Sequence, residues 1–195
     1  MGEEAGSRAG TGLRLTSAPP PAERRHALRD ALGSLVPGWR PLARDVLGDD
    51  ARIDWVGRDG EGRCVIALVC EEGEDAGLLT QGLAQREWVS ARLPDWAQLA
   101  PDAGLRVDLA VCAVLLAPRF GRATRAAARA LSDSGLRLAQ LRFVENGVGV
   151  DPLLEAIEPD APEPAAAAGA AGFRSGLSPA DLDLTPEERA AFEDG

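Results

Sequence analysis

Apolar and polar positions divide the chain into alternating helical and strand segments. After "APPP", the residues Ala27, Leu28, Ala31, Leu32 and Leu35 recur at helical spacing, and "PGW" ends that helix. "RPLARDVLG" is short and reads as a first strand. "ARIDWV" alternates, with Ile53 and Trp55 on one face and Arg52, Asp54 and Val56 on the other. The turn around Asp59 and Gly60 makes this segment half of a hairpin, and the apolar run "RCVIALVC" is its second strand. Asp75 is placed to cap a helix from about Ala76 to Leu93, with Leu79, Leu83 and Val89 inward and Pro94 as its breaker. "VDLAVCAVLLAP" is a central strand, and "GRATRAAARALSDSG" is a helix ended by Gly135. "LRLAQLRFV" alternates, with Leu136, Leu138, Gln140 and Arg142 opposite Arg137, Ala139, Leu141 and Phe143. "NGVGVD" closes the domain with a turn.

The predicted order is helix, three strands, helix, strand, helix, strand. It describes an α/β domain of about five strands, with an antiparallel hairpin followed by crossover units. Residues 1–20 read as a disordered leader, 21–152 as the domain, 153–176 as a low-complexity linker and 177–195 as an acidic C-terminal tail. Within the tail, Thr185, Pro186 and Glu188 carry the signals of a helix start. Leu182, Leu184 and Phe192 make the tail either a frayed end or a peptide that docks on a protein partner or on its own domain.

Charge sharpens this division. The net charge is −10, and residues 151–195 carry eleven acids against two arginines. The folded part is therefore close to neutral, and the acidity belongs to the tail. Such a tail does not suggest phosphate binding. Every basic residue is arginine and none is lysine, which together with the Ala, Gly and Pro load fits a GC-rich genome. No apolar run approaches the roughly 18 residues of a membrane span. The N-terminus lacks the apolar segment of a secretory signal, so the cytoplasm is the expected compartment and no membrane contact is expected.

Candidate chemistry is sparse. Cys64, Cys70 and Cys112 lie in apolar runs without a CxxC pair and read as buried free thiols. His26, the only histidine, sits among charges on the first helix, which leaves neither a zinc site nor a Ser-His-Asp constellation. "GRDGEGR" is a turn rather than a phosphate loop, since no helix or Lys follows it. Arg119, Arg122, Arg125 and Arg129 lie near one another, and the last three share a helical face that is either solvated or a candidate contact for nucleic-acid phosphates.

One stretch is more specific. "RIDWVGRDGEGRCVIALVCEEGEDAGLLTQGLAQREWV", residues 52–89, resembles the PD-(D/E)XK nuclease superfamily, in particular the bacterial branch that reads "riDll..d..G..vviElK......a..Q.l.Y..wl". The later "VCAVLLAPRFGRATRAAARAL" is similar to the strand and helix that follow in that branch. The resemblance spans roughly residues 22–150 and implies a restriction-endonuclease-like mixed sheet flanked by helices. It also implies a Mg²⁺ site in which the motif Asp falls on Asp54, the Glu on Ala67 and the water-activating Lys on Val69. The helical Gln falls on Gln81, with Gln85 one turn later and Trp88 near the usual aromatic position.

The motif positions at 67 and 69 are thus lost, and Asp54, Gln81 and Asp45 remain as vestigial candidates. With a turn centred on Gly60, Asp54 is expected opposite Ile66 or Ala67, with Ala67, Val69 and Glu71 sharing a face. Glu71 lies about 13 Å from Ala67 along the strand at ~3.3 Å per residue, so Asp45 is the better second carboxylate. Arg86 can bring charge but no base. Three readings stay open: a catalytically degenerate nuclease-like domain serving as an accessory or interaction protein, a metal-dependent nuclease with a shifted site, and an unrelated small α/β binding module. No cofactor is expected beyond Mg²⁺ in the second reading.

Overall fold

Strands β2 (Arg40–Leu47), β3 (Arg52–Arg58) and β4 (Cys64–Val69) form an antiparallel meander. β5 (Cys112–Ala117) and β6 (Leu136–Glu145) continue parallel to β4. Helix α2 (Asp75–Leu99) crosses between β4 and β5, and α3 (Arg122–Ala130) crosses between β5 and β6. These are the hairpin and crossover units expected from the pattern, because parallel neighbours need a crossover of a dozen or more residues. The computed structural model describes residues 14–70, 75–131, 135–145 and 149–157. The linker, the capping signals at Thr185 to Glu188 and the carboxylate of Glu71 lie outside the described residues.

Two short strands enlarge the sheet beyond five. β1 (Arg14–Thr16) lies in the stretch read as a leader, and β7 (Val150–Ala156) runs past residue 152. β7 pairs along β6 from Ala139↔Ala156 to Glu145↔Val150, while β1 pairs Phe143 to Glu145. Phe143 pairs with both Thr16 and Pro152, so β1 and β7 flank β6 on opposite edges. The sequence hid both strands. β1 is three residues long, too short for a period, and β7 holds Pro152 with mostly exposed side chains.

Helix α1 (Pro21–Ala31) and the 3₁₀ turn Leu32–Ser34 cover one face of the sheet. Leu28, Leu32 and Val36 pack there on Trp55, Val65, Ala67, Val114, Leu116, Ala139, Leu141 and Phe143. The other face carries Ile66, Leu68, Ala113, Leu115, Leu136 and Leu138 under α2. β4 and β5 are therefore covered on both sides, which is why they read as unbroken apolar runs. β6 splits into the two faces that its alternation predicts.

α2 does not stop at Pro94 but continues to Leu99. An interior proline costs roughly 3 kcal/mol of helix stability. Packing on both sides offsets that cost: Leu93 is buried, and Trp88 meets Trp96 edge-on across the proline with ring centroids 6.0 Å apart. Gly82 brings α2 close to the sheet, since a Cβ there would lie 2.5 Å from Leu115 Cδ2. No helix among the described residues is long and apolar enough to cross a membrane.

Candidate functional site

The β3–β4 hairpin closes at one end and forks at the other. At the closed end, Asp59 Oδ1 accepts the backbone N–H groups of Glu61 and Arg63, each at 2.9 Å. Gly62 completes the turn at φ +88°, a conformation that favours glycine. Arg58 pairs with Cys64, which centres the turn on Glu61 and not on Gly60. The register therefore differs from expectation: Trp55 stands opposite Ala67, and the position opposite Asp54 is Leu68.

The ladder ends at Trp55↔Ala67. Beyond it, Asp54 Oδ2 accepts the backbone N–H of Val69 at 2.8 Å. A side-chain oxygen thus does what a β3 carbonyl would do if the strands stayed paired. On the other edge of β3, Arg44↔Trp55 and Val46↔Ile53 bracket the position where Asp45 faces Asp54. Asp45 has φ 53°, a left-handed conformation that Asp tolerates better than most residues. The strand is kinked here. Ile53 joins the core under α2 and Trp55 the core under α1, although residues two apart share a face in a regular strand. The single face expected for Ile53 and Trp55 is lost at this kink.

A divalent metal of the Mg²⁺ class needs several hard oxygen ligands converging on one point. Asp54 spends one oxygen on Val69 N–H. Asp45, the second candidate, accepts Arg52 Nη1 at 3.2 Å in a largely solvent-exposed pair. Ala67 is fully buried and Val69 half-buried, and neither supplies an oxygen ligand from its side chain. Among the described residues, no three His, Cys, Asp or Glu side chains are grouped to hold a metal. The described side chains alone do not complete the ligand set that the resemblance implies, and Glu71 and Glu72 lie outside the described residues.

The helical glutamines divide unexpectedly. Gln81 is half-buried, whereas Gln85 is 1% exposed and is the inward one. Its Oε1 lies against the turn between β2 and β3, where a Cβ on Gly48 would be 1.6 Å away, and it accepts no hydrogen bond among the described groups. The signal was present in the sequence. Leu78, Gly82, Val89 and Leu93 define the buried stripe of α2, and position 85 falls on that stripe while 81 does not. Trp88 is half-buried, and its ring face is covered by the Arg92 guanidinium 4.1 Å from the centroid.

Asp75, the first residue of α2, also reaches the next helix. Its carboxylate accepts the backbone N–H of Gly121, the residue preceding α3. One carboxylate thereby sits at the starts of two helices, where negative charge is favourable. The arginine stripe is also split. Arg119 and Arg122 are exposed, whereas Arg125 and Arg129 are half-buried and line a cavity with Arg137. His26 is exposed on α1. The three cysteines are free; Cys64 and Cys112 are buried and Cys70 is half-buried. Burial, with Cys112 nearby, pushes the Cys64 thiol up to about 12.

The architecture is a mixed α/β sheet flanked by helices, the class that the resemblance implies, with the hairpin, Gln-bearing helix and crossover strands in that order. No family model and no curated protein matches the sequence. Two solved structures are similar. A repair endonuclease from Pyrococcus abyssi shares 17% identity at a TM-score of 0.43, over 64% of this chain and 48% of that one. The structure of the EndoMS–dsDNA2 complex shares 19% identity at a TM-score of 0.39, over 66% of this chain and 46% of that one. This chain thus spans about half the length of each.

Proposed function

We propose that this chain is a catalytically degenerate nuclease-like domain that works as an accessory or interaction protein. The observation that carries the reading is the fork. Asp54 is engaged with Val69 N–H, and the positions where the resemblance implies a metal ligand and a base hold Ala67 and Val69. Hydrolysis of a phosphodiester by a bound metal needs that ligand set, and the chain has no lysine to supply the base. The acidic segment 177–195 serves, in this reading, as the end that engages a protein partner.

The test is direct. Purified full-length protein, incubated with supercoiled DNA or with RNA in Mg²⁺ or Mn²⁺, should cleave neither. Metal-dependent nicking that Asp54→Ala abolishes would overturn the reading and favour a nuclease with a shifted site. In that event Glu71→Gln and Glu72→Gln would identify the missing carboxylates.

A further inference from the structure

One corner of the sheet, at the start of β6, lies apart from the fork. β6 begins at Leu136, but β7 reaches back only to Ala156, opposite Ala139. Past that pair, Ile157 N–H bonds to Leu138 O. A cavity of about 430 Å³ occupies this corner, within the usual ~300–1,000 Å³ of small-molecule sites. It lies at the start of β6, whereas the fork lies at the end of β4. Leu136 is level with Ile66, three residues before Val69, so those two ends are separated by about 10 Å along the strand direction at ~3.3 Å per residue, and two strands across the sheet.

Three arginines, Arg125 and Arg129 of α3 and Arg137 of β6, line the cavity. Among the described residues that line it there is no Asp or Glu, and the remaining described walls are apolar, including Leu35, Val114 and Ile157. Arg125 and Arg129 also make other interactions, so a ligand would add to their partners. Three guanidinium groups, two half-buried and Arg137 exposed, around one apolar space attract a multiply charged anion. Guanidinium forks match the oxygens of phosphate and carboxylate groups, and a phosphate monoester carries close to two charges and three acceptor oxygens.

We propose that this cavity binds a small phosphate monoester with an apolar body, its phosphate on Arg125, Arg129 and Arg137 and its body against the aliphatic walls. The site is separate from the fork and does not depend on whether the fork is catalytic.

Isothermal titration calorimetry of the full-length protein with phenyl phosphate, inorganic phosphate and benzyl alcohol tests the assignment. Phenyl phosphate should bind about tenfold or more tighter than either fragment. Arg129→Gln and Arg137→Gln should each weaken it about tenfold or more, as the loss of one ionic hydrogen bond does. Arg122→Gln, on the exposed part of the same helix, and Asp54→Ala should leave it within about twofold. Ala128→Leu fills the cavity without removing charge and should abolish binding, which guards against an arginine variant that misfolds. The proposal is overturned by no heat with phenyl phosphate at millimolar concentration, by equal affinity for inorganic phosphate, or by full affinity in the Arg125→Gln/Arg129→Gln/Arg137→Gln triple variant.

Discussion

Asp59 and Asp54 stand five residues apart on one hairpin and do the same job at its two ends. Asp59 accepts two backbone N–H groups where the strands meet, and Asp54 accepts one where they part. Only the first is recognisable from its neighbours. An Asp beside glycines in a short polar stretch is a turn residue for a known reason: its side chain mimics the backbone two residues on. An Asp inside an alternating strand has no such local signature. It takes its meaning from a partner fifteen residues away, and that partner is a backbone amide. The comparison teaches that a carboxylate at a sheet fork has two uses, as a metal ligand or as a substitute rung of the ladder. What faces it decides between them.

The most disruptive way to probe this difference is to put the missing ligand back. Ala67 has no exposed surface and packs in the core beneath Leu28 and Leu32. Ala67→Glu would bury a carboxylate with no metal to neutralise it, at a cost of about 3 kcal/mol or more. The urea midpoint should fall accordingly, and adding Val69→Lys should not restore it. A double variant that keeps the wild-type midpoint and gains a Mn²⁺-dependent rise in melting temperature would show that the fork can still hold a metal.

Removing the two aspartates separates them next. Asp59→Ala leaves two turn amides without their acceptor and should cost about 2–3 kcal/mol. Asp54→Ala leaves one amide at a half-buried strand end and should cost about 1–2 kcal/mol. Both are read from urea unfolding at constant slope. If Asp54→Ala proved the more damaging, or if it stabilised the protein as removal of a frustrated catalytic carboxylate often does, the parallel between the two ends would break.

These differences follow the line between what the sequence displayed and what it concealed. Continuous apolar runs announced β4 and β5 because both faces are covered, and the alternation of β6 announced its two faces. Local chemistry announced the Asp59 turn, although the Arg58↔Cys64 pair puts its centre on Glu61, one residue further on. Features that depend on distant partners stayed hidden. The Asp75 carboxylate accepts the N–H of Gly121, 46 residues away. The Trp88–Trp96 contact carries α2 through Pro94. Gln85, by contrast, was legible as the inward glutamine from the stripe of Leu78, Gly82, Val89 and Leu93. The arginines of α3 and its approach read as one stripe, and the fold divides it into two exposed and two half-buried members.

The smallest expected effect is the most discriminating. Asp54→Asn keeps an oxygen that can accept the Val69 N–H but removes the negative charge that a metal requires. If Asp54 serves as a substitute rung, the variant should stay within about 0.5 kcal/mol of the natural protein, since a neutral acceptor retains most of a hydrogen bond's net worth. Asp59→Asn should behave in the same way, because a single oxygen of Asp59 receives both amides and the amide side chain preserves it. Adding Mg²⁺ or Mn²⁺ should then shift the melting temperature of the natural protein and of Asp54→Asn equally or not at all. A shift in the natural protein alone would reveal a charge-dependent metal contact at Asp54, and the two ends of the hairpin would no longer be equivalent.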